Sequence, residues 1–325
     1  RFLMEARRRV RLIKIIKAAF AVLLSGLIYC YVCCILLPKD SKDVGGKNYF
    51  MGRGFLGEPK KHSLDVIVFG NSNVYSGFSP GKLFEEYGYT SYASGVARQT
   101  VGQIDKLLDA ALKSQKPKIA VLDVDCLYTP EKMAMDSSNF FLAPFTFHYR
   151  WKHLKGYDFY KFPQRNKTYD INKGYFFHNE KESLSPGEYM GEREQAPKRI
   201  PKKTLKKVRR FVRVCKENGV VPIFIELPTT VGWTYARHNY VEEFARSESV
   251  PFYDFNTRES GYTPDFENDF RDDMHMNVYG AERVTLFLGG ILEKHCDSLF
   301  DKREAPEYGY WREAVEFYER KKTDS

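Results

Sequence analysis

Residues 65–73 read DVIVFGNSN, a short apolar run that ends in small polar residues. The run Asp65–Phe69 is typical of a buried β-strand, and the residues after it are typical of a turn. In open parallel sheets, ligands bind just beyond the carboxyl ends of the strands, so Ser72 stands where such a sheet would present a reactive group. Ser and Asn also favour strand-to-helix turns as caps, so Ser72 alone does not indicate an active site.

Apolar runs and helical periods alternate along the rest of the chain. Further strands are predicted at Thr90–Ala93, Lys118–Asp123, Val220–Leu227 and Val250–Phe255. Helices are predicted at Pro80–Tyr87, Thr100–Ser114, around Leu205–Cys215, at Ala281–His295 and at Tyr308–Lys322. This alternation predicts an α/β fold in which a parallel sheet is covered by helices on both faces.

A second polar block lies near the far end of the chain, where Asp272 and His275 stand three residues apart before the last long helix. A Ser hydroxyl becomes an effective nucleophile when an imidazole takes its proton, and a carboxylate on the other ring nitrogen orients that imidazole. Ser72, His275 and Asp272 could supply these three groups, because they follow the first and last predicted strands of one sheet. The alternatives are an acidic loop with an incidental His, or Asp273 in place of Asp272.

These two blocks resemble those of the SGNH (GDSL-like) hydrolases and acyltransferases. Gly70–Ser72 after an apolar strand is similar to their first block, and Asp272 and His275, followed by Asn277, are similar to their last. The resemblance covers roughly residues 65–295 apart from an insert. It implies a flavodoxin-like three-layer fold with Ser72 as nucleophile, His275 as general base and Asp272 orienting the base.

The resemblance also implies an oxyanion hole, made by the Ser72 N–H, a Gly N–H that Gly95 matches, and an Asn side chain. Where the family has Gly-x-Asn-Asp after the third strand, this chain reads DVDC at 123–126. An ionised Asp cannot donate a hydrogen bond, so Asp125 is predicted to be structural or to bind substrate. Asp125→Asn should then leave activity equal or higher.

Either another donor substitutes for the missing Asn, or the hole has two donors. Asn71 and Asn73 are the nearest candidates in sequence. Asn277 in the last block is also predicted to take part in oxyanion or substrate binding.

A basic segment followed by an apolar one stands at the N-terminus. Residues 1–17 hold seven Lys and Arg and one Glu, a net charge of +6 out of +9 for the whole chain. The other residues therefore carry only +3, which argues against a nucleic-acid partner. Ala18–Leu37 contains no charged residue in 20 positions, and a helix of that length crosses a bilayer core of about 30 Å.

A retained, single-pass transmembrane helix is therefore predicted at 18–37. The alternatives are a buried helix and a signal peptide, but a signal peptide has a shorter apolar region and a small-x-small cleavage site. The charge before the helix, against the balanced segment Lys39–Asp43 after it, predicts the N-terminus inside the cell membrane and the bulk of the chain outside.

The predicted organisation has five segments: a basic cytoplasmic segment 1–17, the transmembrane helix 18–37, a linker 38–62, a catalytic domain 63–300 and an amphipathic C-terminal helix 301–325. An insert at about 128–201 interrupts the domain. The insert is rich in aromatic residues but shows no clear helical or strand period. It is expected either to pack its own small core, or to form a wall of the substrate cleft or a surface against the membrane or a partner.

Of the six cysteines, Cys30, Cys33 and Cys34 lie within the apolar helix as small hydrophobic residues. The other three are scattered and have no metal-site pattern of His beside them, so no metal is predicted and a disulfide among them stays open: Cys126, Cys215 and Cys296. No cofactor is predicted. The architecture is similar to that of membrane-anchored members of the family that modify bacterial surface polymers, such as those of teichoic acid D-alanylation and alginate O-acetylation. The resemblance implies an esterase or O-acyltransferase acting on an acylated cell-surface glycopolymer, beside a multi-pass membrane O-acyltransferase. The alternative is a catalytically weak protein that binds the polymer for such a partner.

Overall fold

A computed structural model of the protein describes residues 2–39, 43, 46, 52–130, 140–161 and 169–323. The chain forms two compact units. One joins Arg1–Tyr49 with Lys132–Gln164, and the other joins Phe50–Glu131 with Arg165–Ser325. The remaining parts of the predicted linker and insert, including Phe162, lie outside the described residues.

The larger unit is built on a five-stranded sheet whose paired strands all run parallel. The strands are β1 Val66–Gly70, β2 Ser91–Gly95, β3 Ile119–Asp123, β4 Val221–Glu226 and β5 Phe252–Asp254. Their order across the sheet is β2-β1-β3-β4-β5, which is the order of flavodoxin-like folds with its switch point between β1 and β3. The predicted α/β class and flavodoxin-like sheet are confirmed.

Helices cover both faces of this sheet. They are α2 Ser72–Gly77, α3 Pro80–Tyr87, α4 Val101–Ser114, α6 Lys202–Glu217, α7 Tyr235–Ser247, α8 Val278–His295 and α9 Gly309–Thr323. Ile67 and Phe69 of β1 belong to the core that includes residues of α4, α6 and α7, whereas Val66 and Val68 belong to the core with α3 and α8. A strand buried on both faces explains why β1 reads as an unbroken apolar run.

Local signals explain the helix boundaries. At α3, the Ser79 hydroxyl accepts the Lys82 N–H at 3.3 Å, and Pro80 occupies the first turn, where its missing N–H costs nothing. Gly88 ends α3 at φ +70°, a left-handed conformation that favours glycine. The predicted bounds of α3 therefore agree with the observed ones, whereas α7 had no predicted counterpart.

Two predicted boundaries of the domain differ from the structure. Within the predicted linker, Phe55 is fully buried in the core of the larger unit and makes an edge-on contact with Tyr92 at 5.9 Å. At the other end, Trp311 of α9 is fully buried and stacks on Phe84 of α3 at 5.2 Å. The packed domain thus extends beyond residues 63–300 in both directions, because both flanks supply large aromatic side chains to its core.

The smaller unit contains α1 (Phe2–Leu36), the short helix α5 (Ala143–Thr146) and several 3₁₀ turns. Cys33 and Leu37 pack with Ala143 and Phe147 in a small apolar cluster. Among the described residues, Arg7–Leu36 is the one helix long and apolar enough to cross a membrane, with a mean hydropathy of 2.4 over an 18-residue window.

Candidate active site

Ser72 is the first residue of α2, one position beyond the turn that leaves β1. The Asn71 side chain caps this helix by accepting the Asn73 N–H at 2.9 Å. Gly95 at the end of β2 lies against the same turn: a Cβ at this position would stand 2.6 Å from the Asn71 carbonyl oxygen and 3.0 Å from the Tyr75 nitrogen. Gly95 therefore allows β2 to approach the backbone that carries Ser72.

The structure brings the three predicted side chains together, although Ser72 and His275 are 203 residues apart in sequence. His275 Nε2 lies 2.9 Å from Ser72 Oγ. His275 Nδ1 lies 2.9 Å from Asp272 Oδ1 and 3.0 Å from Asp272 Oδ2. These distances allow the imidazole to take a proton from the hydroxyl while the carboxylate orients it.

The loop before α8 holds this carboxylate in place. Asp272 Oδ1 accepts the backbone N–H groups of Met274 at 2.9 Å and His275 at 2.8 Å. Arg271 Nε lies 3.1 Å from Asp272 Oδ2 as an ion pair. Burial by itself raises the pKa of Asp272, but the hydrogen bonds from Met274 and His275 and the His275 charge outweigh it and lower the pKa.

Asp272 rather than Asp273 is the carboxylate that contacts the imidazole. The main-chain oxygen of Asp273 accepts two hydrogen bonds from Thr230. The Thr230 N–H donates at 3.2 Å and the Thr230 hydroxyl donates at 2.7 Å. Asp273 thus fixes the loop through its backbone, one residue away from the group that orients His275.

Two aromatic side chains flank the imidazole. The Tyr75 ring is stacked on that of His275, with centroids 6.4 Å apart and an interplanar angle of 9°. Phe176 contacts Tyr75 edge-on at 5.9 Å, and its N–H donates to the Tyr75 carbonyl at 2.7 Å. Phe176 comes from the predicted insert, which therefore contributes to the wall of this site.

A polar network behind the nucleophile was not predicted. Asn71 Nδ2 donates to Asp125 Oδ2 at 2.6 Å, and Arg237 Nη1 of α7 donates to Asp125 Oδ1 at 2.9 Å. Asp125 accepts on both oxygens, which agrees with the prediction that it does not act as a donor. Nothing in the sequence pointed to Arg237, since its helix was itself missed.

This network changes the expectation for Asp125→Asn. An amide offers one acceptor oxygen where the carboxylate offers two, so it cannot accept from both Asn71 and Arg237 in the observed arrangement. We therefore expect the substitution to lower activity, contrary to the prediction from sequence. The oxyanion role suggested for Asn71 stays a prediction, since the contacts seen here cap α2 and bind Asp125.

Asn277 has a role different from the predicted one. Its side chain is completely buried and caps α8 by accepting the N–H groups of Tyr279 at 3.0 Å and Gly280 at 3.1 Å. Its amide nitrogen donates to the main-chain oxygens of Asn268 and Phe270. With both amide hydrogens used in this way, Asn277 orders the loop before α8 and has none left for a substrate oxygen.

Among the described residues, no group of three or more His, Cys, Asp or Glu side chains is arranged to hold a metal ion. The described cysteines, including Cys126, Cys215 and Cys296, are all free thiols.

Comparisons with known proteins give distant likenesses. No family model matches the chain, and no curated protein matches it. A GDSL-like lipase from Bacteroides thetaiotaomicron VPI-5482 is similar at 12% identity, over 76% of this chain and 98% of that chain, with a TM-score of 0.39. An acetyl xylan esterase, AlAXEase, is similar at 12% identity, over 70% of this chain and 98% of that chain, with a TM-score of 0.37. Alignments with TM-scores this low carry no information on activity, and the chemistry of the site follows from its own geometry.

Proposed function

We propose that the protein is a serine esterase or O-acyltransferase that works through an acyl-Ser72 intermediate. The observation that supports this most strongly is the 2.9 Å contact between Ser72 Oγ and His275 Nε2, with Asp272 on the opposite ring nitrogen. A serine, an imidazole and a carboxylate in this order form the arrangement that activates a hydroxyl for acyl transfer.

In the proposed reaction, Ser72 Oγ attacks the ester carbonyl carbon while its proton passes to His275 Nε2. The charge that develops on the carbonyl oxygen is stabilised at the N-terminus of α2, with the N–H groups of Ser72 and Gly95 as the proposed donors. His275 then gives the proton to the departing alkoxide oxygen, and the acyl group stays on Ser72. Water or an acceptor hydroxyl attacks the acyl-Ser72 ester next, and His275 again takes the proton. The bond between the acyl carbon and Ser72 Oγ then breaks, and His275 returns the proton to Ser72 Oγ.

We further propose that the site acts outside the cell membrane on an acylated glycopolymer. The helix Arg7–Leu36 supports membrane anchoring, and the positive charge before it supports an outer location for the domain. On this proposal, protease added outside intact cells reaches the chain beyond Leu37, and complete protection there would contradict it. A multi-pass membrane O-acyltransferase is the partner that we propose, because a chain with both a membrane helix and a Ser-His-Asp site resembles the membrane-anchored members of the SGNH family that work with such a protein.

The experiment that tests this function follows the acyl group. The full-length chain in nanodiscs is incubated with an acetylated polysaccharide, with and without an unacetylated sugar acceptor, and both free acetate and O-acetyl groups on the acceptor are measured. We expect free acetate from hydrolysis or an acetyl ester on the acceptor from transfer, and Ser72→Ala to remove both products.

The same assay distinguishes the alternative of a polymer-binding protein. If the chain retains the polysaccharide but wild type and Ser72→Ala give equal acetate, the binding function replaces the enzymatic one. If the polysaccharide is inert and a small acetyl ester turns over through Ser72, the esterase proposal stands and the polymer substrate is wrong.

A further inference from the structure

Residues 140–161, which we call the collar, carry an unusual number of exposed aromatic side chains. Six of them are at least 40% exposed: Phe141, Phe145, Tyr149, Trp151, Phe159 and Tyr160. Large exposed apolar patches on a protein usually mark a binding surface, because each such side chain in water forgoes the free energy of burial. The catalytic chemistry proposed above uses none of these residues.

The collar is attached to the C-terminal part of α1 within the smaller unit. The Tyr29 hydroxyl donates to the Phe141 carbonyl at 2.6 Å, and the Tyr31 hydroxyl donates to the Phe159 carbonyl at 3.0 Å. These two bonds fix both ends of the collar to the same turn of α1, since Tyr29 and Tyr31 are two residues apart.

A buried arginine of the collar, Arg150, also binds the C-terminal end of α1. Arg150 is 1% exposed and donates to the Leu36 carbonyl at 2.9 Å and to Asp158 Oδ1 at 3.0 Å. A cation at this position satisfies the free carbonyl groups at the end of α1 and interacts favourably with the negative end of the helix dipole. The collar is therefore built against the last turns of the apolar helix.

The attachment points show how much of the apolar helix the collar covers. Tyr29 and Leu36 are separated by about 10 Å along a helix, so the collar covers only the end of the apolar span. Its 3₁₀ turns expose backbone polar groups, which the hydrocarbon core does not tolerate but the headgroup region does. Tyr and Trp prefer that boundary, where the ring is in an apolar medium and the polar edge is hydrated.

We propose that the collar binds the lipid surface, with its aromatic side chains at the boundary between headgroups and acyl chains around the C-terminal end of α1. This inference rests on the membrane anchoring of the proposed function. Lipid is the occupant that fits, because the collar continues the apolar surface of α1, where Val22, Leu27 and Tyr31 are 73%, 60% and 50% exposed.

The three tryptophans of the chain make a direct test available. Trp151 is 64% exposed in the collar, whereas Trp233 and Trp311 are fully buried in the larger unit. The full-length chain is reconstituted into phosphatidylcholine vesicles in which bromine, a contact quencher of Trp emission, lies either near the headgroup end or near the methyl end of the acyl chains. Trp151→Phe keeps an aromatic ring in the collar and removes its only Trp reporter.

We expect shallow bromine to quench the wild-type emission more than deep bromine does, and Trp151→Phe to lose most of the quenching. If the chain floats with the vesicles but shallow bromine does not quench Trp151, the collar proposal fails while the anchor stands. Stronger quenching by deep bromine would contradict the interfacial depth. A chain that does not float with the vesicles would overturn both the anchor and the collar, yet would leave the acyl transfer at Ser72 untouched.

Discussion

A single carboxylate, Asp272, contacts both the backbone of the loop before α8 and the imidazole of His275. One of its oxygens accepts two backbone N–H groups and also lies 2.9 Å from His275 Nδ1. These bonds and the neighbouring His275 charge lower the pKa of Asp272 despite the opposing effect of burial. The group therefore stays ionised at neutral pH, in the form that holds the Nδ1 proton.

Replacing this carboxylate should be damaging but milder than removing the base. In Asp272→Ala the imidazole remains and loses only its orientation, so we expect the rate of Ser72 acylation to exceed that of His275→Ala by about 10- to 100-fold. Asp273→Ala is the matched control, because it removes an adjacent carboxylate that makes no contact with the imidazole, and it should stay near wild type. Equal losses for the two Asp variants would show that loop order, and not orientation of His275, is what Asp272 supplies.

Glu226, at the end of β4, is a fully buried carboxyl with no hydrogen-bond partner for either oxygen among the described residues. Burial raises its pKa well above the usual value, and the nearby charges of Asp123, Asp125 and Asp254 raise it further, while Arg237 lowers it. The side chain is therefore neutral in the folded protein at pH values where it ionises in the unfolded chain.

This neutral carboxyl predicts a pH-dependent stability. Above a pH of about 4.3, where the unfolded Glu loses its proton, the folded state binds more protons, so stability falls as pH rises towards the folded pKa. Glu226→Gln removes that loss, which amounts to at most about 1.4 kcal/mol per pH unit. As pH is raised from acid to alkaline, the melting temperature of Glu226→Gln should increase relative to that of wild type.

An exposed carboxylate supplies the control for this measurement. Glu243→Gln changes a solvent-exposed residue of α7, and its melting temperature should track that of wild type at every pH. If Glu226→Gln also ran parallel to wild type, Glu226 would be ionised in the folded protein.

At the scale of elements, the sequence was most informative where periodicity and caps agreed. The predicted helix Thr100–Ser114 is α4, whose Thr100 and Gln103 form a capping box. The strand Val250–Phe255 was predicted longer than the observed β5, because apolar residues continue beyond the paired segment. Helix α7 was not predicted from the sequence, because His, Asn, Glu and Arg residues obscure its apolar period. Its buried residues are Val241, Phe244 and Ala245.

The same limit applied to the candidate site. Ser72, Asp272 and His275 could be predicted because each stands in a short local pattern, and the resemblance supplied their roles. The contacts of Asp125 with Asn71 and Arg237 span 54 and 112 residues and follow only from the folded sheet. The stacking of Tyr75 on His275 is likewise a product of tertiary packing.

The network around Asp125 gives a test of how the turn before α2 is held. Asp125→Ala leaves the Asn71 amide without its acceptor, a loss of about 1–3 kcal/mol for a buried polar group. If that energy positions Ser72, the rate of Ser72 acylation in Asp125→Ala should fall by about 10-fold or more. The acylation rate of Asp125→Asn should lie between those of Asp125→Ala and wild type.

Asp105 offers the matched control, since it pairs with Arg210 in an Asp–Arg contact between α4 and α6. Asp105→Ala should leave the acylation rate unchanged. A loss as large as that of Ser72→Ala in Asp125→Ala would instead assign the carboxylate a direct chemical role.

In the whole molecule, the proposed membrane anchoring and the proposed acyl chemistry belong to different units of the chain. The smaller unit holds the apolar helix and the collar, whereas the larger unit holds the sheet and the three side chains of the site. Of the net charge of +9, +6 lies before residue 18, in the smaller unit. The central claim is that the larger unit performs covalent acyl chemistry at Ser72.

Labelling by a fluorophosphonate, followed by mass spectrometry of the modified peptide, tests that claim most directly. We expect an adduct on Ser72 in wild type and in Ser76→Ala, which changes a serine in the same short helix, and none in Ser72→Ala. His275→Ala should lose the adduct as well, and the double variant should be no worse than either single one, because the two groups act as a unit. An adduct on another residue, or equal labelling of wild type and His275→Ala, would contradict the account.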